Sequence, residues 1–255
     1  MFKEDSGEEY CAQLIRLLEM ISTHQSTLTL MPEIATGCNR YLPTLRAIKQ
    51  KKYRDWKLNI SPNFKIQLES DNLCGPSGET YLVIGGKIEV KKNQLVDQSI
   101  AVCLIHSPYE DPDTTKCQEY ASIETPCGES EIVRRFHFDI DLELDKQDRP
   151  ISHLQYGGDF SSNHVNHNQQ INYRLYKAID EPRLPSPPYN LTLILDLFLA
   201  QFATNASKIR KESRWRNLVK ESEEFWLGCY FESIHNSFAG KRSKETLYEH
   251  LCRVV

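Results

Sequence analysis

The stretch Arg134–Phe160, RRFHFDIDLELDKQDRPISHLQYGGDF, decides the fold, because polar and apolar side chains alternate along its first part. Such alternation is typical of a β-strand, whose successive side chains point to opposite faces of a sheet. The strand would place four polar residues on one face: Arg135, His137, Asp139 and Asp141. The apolar residues between and after them would pack on helices: Phe136, Phe138, Ile140 and Leu142.

The second part of this stretch predicts a neighbouring antiparallel strand. In ISHLQYGG, residues 151–158, His153 and Gln155 alternate with Leu154 and Tyr156. Side chains on facing strands of such a pair lie close together. Two histidines, two carboxylates and an arginine would therefore converge on one face of the sheet.

Segments before and after this stretch are also candidates for strands of the same sheet. Three runs are rich in β-branched and aromatic residues, which favours strands: NFKIQLE, TYLVIGGKIEVKK and SIAVCLIHS. A further run, NQQINYRLYKAI at 168–179, has an ambiguous period. The connections are too short for regular helical crossovers, so we expect an antiparallel sheet.

Helical patterns flank the strands on both sides. The first runs from Glu8 to His24 with leucines and an isoleucine at helical spacing, and a second fits Pro43–Trp56 with proline in its first turn. After the proline-rich DEPRLPSPPYN, three helices are predicted at 191–203, 211–226 and 243–254. The order predicts one α+β domain over 1–255, helical at 1–60, sheet at 61–178 and helical at 179–255.

Composition limits the class of protein. With 255 residues, 40% hydrophobic and 26% charged, the chain is typical of a soluble globular protein. The acidic start lacks a secretion signal, and the apolar run LTLILDLFLAQF is too short to span a membrane and contains Asp196, so we expect a cytoplasmic protein. The eight cysteines are then expected as free thiols, and the pair Cys117 and Cys127 is a poor zinc signature.

The polar face can be interpreted in three ways. Arg135, His137, Asp139 and His153 supply the groups of a general acid/base site, since histidine titrates near neutrality and a carboxylate can orient it. Two histidines and Asp139 could also hold a divalent metal ion. The third interpretation is the wet side of an antiparallel sheet, which needs no chemistry. No phosphate loop, nucleophile elbow, zincin or kinase motif names a reaction.

Three segments, RRFHFDID, PISHLQYGG and DEPRLPSPPYNLTLILDLFLAQF, resemble a set of uncharacterised bacterial proteins encoded near phage-defence genes or mobile elements. These share an R-x-x-F-D strand, a P-x-S-H-L strand, an R-x-P element and an apolar helix. The resemblance covers Arg134–Phe202 and places four residues at recurrent polar positions: Arg135, Asp139, His153 and Arg183. It implies a subunit of a defence system.

Two basic segments are candidates for nucleic-acid contact, KQKKYRDWK at 49–57 and KIRKESRWRNLVK at 208–220. In the second, one helical stripe is predicted to be core: Trp215, Leu218, Val219, Ser222 and Trp226. The residues expected to meet phosphates in the two segments are Lys51, Lys52, Arg210, Arg214, Arg216 and Lys220. A solvated helix face is the alternative, and the net charge of −4 opposes long-range attraction to a polyanion.

The sequence thus leaves two functional hypotheses. The first is a non-catalytic interaction subunit of a bacterial anti-phage defence or mobile-element complex, without a cofactor, that binds a protein encoded in the same operon and also contacts nucleic acid. The second is a nuclease or other phosphodiesterase that uses the His/Asp/Arg cluster, with acid/base chemistry or a divalent metal ion.

Overall fold

A computed structural model describes residues 5–23, 32–69, 78–108, 130–142, 150–156, 171–172, 183–202, 204–236, 238–239 and 251. The predicted α+β class is confirmed: a central sheet is flanked by helices that precede and follow it in the chain. No helix within these residues combines the length and apolar character that crossing a membrane requires.

Within the described residues the sheet has seven strands, in the order β1-β2-β3-β4-β5-β7, with β6 beside β4. Their bounds are Trp56–Gln67, Gly78–Lys91, Gln94–Pro108, Ser130–Asp141, Ser152–Tyr156, Ile171–Asn172 and Arg183–Pro185. All neighbours are antiparallel except β6, which pairs with β4 in parallel. In the ambiguous run at 168–179, only Ile171–Asn172 is described as a strand.

Both ends of the sheet differ from the prediction. β1 already begins at Trp56, which the sequence assigned to a helix, and β7 lies in the proline-rich junction that was predicted to be irregular. A proline is tolerated in β7 because this strand is the last in the order, so one side of its backbone faces no described strand. The sheet therefore extends beyond 61–178 in both directions.

Helix α1, Ser6–Thr23, agrees with the prediction, whereas α2 runs over Pro32–Lys51 instead of Pro43–Trp56. Pro43 lies inside α2 on its exposed side. A buried stripe continues through the helix on both sides of this proline: Cys38, Tyr41, Leu42, Leu45 and Ile48. Burial of that stripe outweighs the lost hydrogen bond and the clash that proline causes within a helix.

The carboxyl-terminal helices are α3 at Leu191–Gln201, α4 at Ser213–Ser222 and α5 at Gly228–Asn236. A 3₁₀ helix, Asn205–Lys211, precedes α4, and a π-helical turn, Glu223–Leu227, joins α4 to α5. The predicted core stripe is confirmed at Trp215, Leu218, Ser222 and Trp226, which are buried. The helix predicted at 243–254 lies outside the described residues, apart from Leu251.

One hydrophobic core joins the helices to the sheet. It contains Tyr10 and Leu17 of α1, Ile84 and Ile100 of the central strands, and residues as late in the chain as Trp226. On β4, Phe138 and Ile140 belong to this core, as the alternation in the sequence predicts. The helices thus cover one face of the sheet, and the polar residues of β4 lie on the other.

A buried polar network fixes the carboxyl-terminal helices against α1. Asn190 begins α3 by accepting a hydrogen bond from the Leu193 backbone at 2.9 Å. Its amide donates to Gln13 Oε1 at 2.8 Å and to Ser222 at 3.2 Å. The indole of Trp226 donates to the same Gln13 oxygen at 2.7 Å. One asparagine therefore caps a helix and links three elements.

Replacing Asn190 with alanine should lower the free energy of unfolding by about 2–3 kcal/mol, because a helix cap is lost and buried partners lose hydrogen bonds. Urea denaturation would measure the change. Asn205→Ala serves as the control, since this asparagine is exposed and should cost less than about 0.5 kcal/mol. Equal losses for the two variants would contradict the role given to the network.

Candidate functional site

Strand register brings the predicted cluster together on the face that points away from the helices. Asp139 on β4 lies opposite His153 on β5, and His137 lies opposite Gln155. Gln155 in turn lies opposite Arg183 on β7. Arg135, His137, Asp139, His153 and Arg183 therefore share one face, which we call the polar face.

Three residues of the polar face are buried. Relative exposure is 1% for Arg135, 6% for His137 and 1% for His153. The interpretation of this face as the wet side of a sheet is therefore wrong for these residues. Alternation predicts which side chains share a face, but burial depends on what packs above that face.

Asp139 lies between the two histidines. Its Oδ2 is 3.4 Å from His153 Nε2, and its Oδ1 is 3.9 Å from His137 Nδ1. The second distance is too long for a hydrogen bond, so this contact is mainly electrostatic. The other nitrogen of His153, Nδ1, is 2.9 Å from the carbonyl oxygen of Pro150. Because both neighbours of His153 are acceptors, its ring donates to both only when each nitrogen carries a hydrogen.

The electrostatics of Asp139 follow from these contacts. Burial raises the pKa of its carboxyl, but His137, His153 and the Ser99 hydroxyl favour the charged form more strongly, so the pKa lies well below its usual value. Asp139 is therefore a carboxylate at neutral pH and cannot act as a general acid there. Since Asp139 contacts Nδ1 of His137, proton transfer by this histidine would go through Nε2.

The sequence interpretation missed the residues that β3 contributes to the polar face. Cys103 lies opposite Arg135, Ala101 opposite His137, and Ser99 opposite Asp139. Burial raises the pKa of the Cys103 thiol to about 11, and the charge of Arg135 lowers it only in part, so this thiol is unreactive at neutral pH. Only the pairing of β3 with β4 reveals these neighbours, because their sequence segments are more than 30 residues apart.

The metal hypothesis gains no support from the cluster. Among the described residues, no group of three or more histidine, cysteine, aspartate or glutamate side chains is arranged to hold a metal ion. His153 already directs one nitrogen to Pro150 and the other to Asp139. Cys117 and Cys127 lie outside the described residues.

The second basic segment divides into paired and exposed cations. Arg210, predicted to meet phosphates, donates instead to both carboxylate oxygens of Asp196, at 2.8 and 3.3 Å. Asp196 also accepts from the Trp215 indole at 2.7 Å, so Arg210 helps to hold a core tryptophan. Arg216 bonds the Lys211 carbonyl at 3.1 Å, whereas Arg214 is exposed and makes no hydrogen bond or ion pair within the described part of the chain.

These contacts predict that nucleic-acid binding and stability depend on different residues of this segment. Arg214→Glu combined with Lys211→Glu should weaken any binding to single-stranded DNA at low salt, with stability changed by less than about 0.5 kcal/mol per site. Arg210→Glu should lower stability by about 1–2 kcal/mol, because it places a carboxylate beside Asp196. Fluorescence anisotropy and thermal melting would measure both. Equal melting temperatures for the two variants would contradict this division.

Of the three remaining candidate cations, Lys51 and Lys52 lie at the end of α2 and Lys220 lies in α4. Lys51 Nζ lies 5.8 Å from the centre of the Tyr53 ring, and Lys220 Nζ in α4 is 3.9 Å from Glu224 Oε1. Lys52 has a φ of 52°. Its backbone N–H donates to the carbonyl of Lys49, and the backbone N–H of Tyr53 donates to the carbonyl of Ile48. This pair of hydrogen bonds is a Schellman motif, which terminates the helix.

No protein-family model, curated protein or solved structure matches this chain at a significant level. The resemblance to proteins of phage-defence neighbourhoods therefore stays a prediction. What the chain does has to be argued from the residues of its polar face and of its surface.

Proposed function

We propose that this protein is a non-catalytic interaction subunit of a bacterial anti-phage defence or mobile-element complex and works in the cytoplasm. Two features of the polar face support a structural role for the cluster: Arg135, His137 and His153 are buried, and both nitrogens of His153 face acceptors. The defence setting rests on the resemblance between Arg134 and Phe202. A reducing compartment is supported by four free thiols among the described residues: Cys11, Cys38, Cys103 and Cys229.

The observation that carries the proposal is an exposed apolar pair at one end of the sheet. Tyr156 on β5 is 54% exposed and Leu184 on β7 is 52% exposed. Leu184 lies opposite Leu154, which makes it the diagonal neighbour of Tyr156 on the same face of the sheet. Large apolar side chains exposed side by side are typical of protein-binding surfaces.

Strand β7 offers a further means of attachment. It is the last strand in the order of the sheet that the structure describes, so its outer backbone groups face no described strand. An extended segment of another protein can add to such an edge through main-chain hydrogen bonds, while its side chains cover neighbouring apolar residues. The partner we propose is a neighbouring gene product that covers Tyr156 and Leu184 in this way.

Co-expression with each product of the same operon, followed by size-exclusion chromatography, tests the proposal. The wild-type protein should co-elute with one partner, and the double variant Tyr156→Ser/Leu184→Ser should elute alone. Phe231→Ser is the matched control, because Phe231 is 54% exposed but belongs to α5. Elution as a lone monomer with every operon product, or binding that survives the double variant, would refute the proposed surface.

One observation favours the second candidate, a phosphodiesterase. Within the described part of the chain, the buried Nε atom of Arg183 and the buried Oδ1 atom of Asp139 make no hydrogen bond. Buried polar atoms of this kind usually have a partner, and a phosphate oxygen would be one for Arg183. In this hypothesis Asp139 orients His137, which transfers a proton at Nε2, with or without a divalent metal ion.

Hydrolysis of single-stranded DNA, RNA and bis-p-nitrophenyl phosphate, with Mg²⁺ or Mn²⁺ and without either, tests this candidate. His137→Gln should then reduce the rate at least a hundredfold, the usual size of a general acid/base contribution. Arg46→Gln is the control, since Arg46 pairs with Glu19 between the helices, on the other side of the sheet from the cluster. A rate that is the same in His137→Gln as in the wild type would exclude the cluster as its source.

A further inference from the structure

A cavity of about 270 Å³ lies on the opposite side of the molecule from the polar face, where α2 ends. Its floor is apolar and consists of Cys11, Ile48 and Trp56, which are buried. Three cations line it, Lys49, Lys52 and Arg54, and all are exposed. The first basic segment, 49–57, supplies much of this lining.

The charges around the cavity are not balanced by pairing. Within the described residues, the side chains of Lys49, Lys52 and Arg54 make no hydrogen bond or ion pair. The lining also holds two carboxylates, Glu8 and Asp5, of which Asp5 accepts a hydrogen bond from the Asn93 amide at 3.0 Å. The cations outnumber the carboxylates by one, which favours an anionic ligand.

The adjacent groove shows the opposite arrangement. There Arg46 contacts Glu19 at 2.8 Å, and Arg16 contacts Glu9 at 2.8 Å and Glu221 at 3.3 Å. The two arginines of this groove are thus neutralised by carboxylates, whereas Lys49, which lines both the groove and the cavity, is not paired with any described carboxylate.

Two further features suit a ligand with an aromatic part and an anionic part. Tyr53, which lines the cavity, is 51% exposed, so its ring can stack with a planar group. The Schellman motif satisfies the carbonyls of Ile48 and Lys49, which reduces the negative field that the end of α2 would direct at an anion. The cavity is slightly smaller than a typical drug-sized pocket and would accommodate one small ligand.

We propose that this cavity binds a single nucleotide unit, with its phosphate at Lys49, Lys52 and Arg54 and its base on Tyr53. Glu8 would accept a hydrogen bond from a ribose hydroxyl. The unit could belong to a free mononucleotide or to a single-stranded nucleic acid, since the recognised groups are the same. This inference goes beyond the proposed subunit function and does not depend on a protein partner.

Isothermal titration with adenosine monophosphate and with inorganic phosphate tests the proposal on the full chain. We expect the nucleotide to bind at least tenfold more tightly than phosphate. The double variant Lys52→Gln/Arg54→Gln should weaken nucleotide binding at least tenfold, because charge-assisted hydrogen bonds are lost. Tyr53→Ser should weaken binding of the nucleotide but not of phosphate. Lys57→Gln is the control, since this exposed lysine lies nearby but pairs with Glu89 at 3.6 Å.

A short single-stranded oligonucleotide distinguishes the two sources. Tighter binding of the oligonucleotide than of adenosine monophosphate, lost in the same double variant, would assign the site to a strand. Equal affinities would assign it to the free nucleotide. Three results would overturn the proposal. They are failure of both adenosine monophosphate and the oligonucleotide to bind, binding that survives Lys52→Gln/Arg54→Gln, and equal affinities for nucleotide and phosphate. Melting temperatures of all variants would show that each is folded.

Discussion

The variant Gly86→Ala should fail to accumulate as a folded protein. Gly86 lies in the centre of β2, opposite Ile60 of β1 and Ile100 of β3, with a φ of +150°. An added Cβ would lie 2.0 Å from the backbone oxygen of Ser99, which no side-chain rotation can relieve. Because the backbone of two central strands would have to separate, we expect a loss of more than about 4 kcal/mol, a large part of the stability of a typical domain.

Soluble yield and urea denaturation would measure this effect, with Gly228→Ala as the matched control. Gly228 begins α5, and an added Cβ there would meet no atom within 4 Å. Alanine should therefore stabilise the protein by about 0.5–1 kcal/mol through its higher helix propensity. An unfolding midpoint for Gly86→Ala close to that of the wild type would show that β2 and β3 approach each other less closely than described.

Replacing Asp139 with alanine should have the second largest effect, about 3–5 kcal/mol at neutral pH. Its loss would leave His153, which is 1% exposed, and the Ser99 hydroxyl without their buried acceptor, at about 1–3 kcal/mol for each unsatisfied group. The folded pKa of Asp139 is lowered, so its contribution to stability is present above the ordinary carboxyl pKa of about 4 and is lost as the pH falls further. The difference between the wild type and Asp139→Ala should therefore shrink below about pH 4.

Urea denaturation of both proteins between pH 3 and pH 7 would test this dependence. Glu89→Gln is the control, since Glu89 contacts Lys57 and Lys91 at the surface and its removal should cost less than about 1 kcal/mol. A difference between wild type and Asp139→Ala that stays constant over this range would show that the charge of Asp139 does not stabilise the fold.

The sequence predicted the polar face more accurately than its surroundings. The alternation in RRFHFDID correctly placed Arg135, His137 and Asp139 on one face, because side-chain direction in a strand follows from local backbone geometry. The same pattern could not show whether that face meets water, since burial is decided by residues far away in the chain. The prediction of a helix from Pro43 to Trp56 failed for a related reason: a core stripe on both sides of Pro43 stabilises the longer helix.

The basic segment shows the same limit for charged residues. The helical stripe of Trp215 and Trp226 was predictable from spacing alone, since an α-helix has 3.6 residues per turn and residues a whole number of turns apart share one side. The pairing of Arg210 with Asp196 was not, because these residues belong to different helical segments and meet only after α3 packs against the 3₁₀ helix.

The sequence by itself determined the α+β class, the strands and helices with clear periodicity, and the set of side chains that share each face. These properties depend on the backbone over a few residues and repeat with a fixed period. Tertiary structure alone decided that Asp139 lies between His137 and His153, that Arg135, His137 and His153 are buried, and that Lys52 and Arg54 line a cavity. Those outcomes depend on contacts between distant segments, whose positions are set by packing of the whole core.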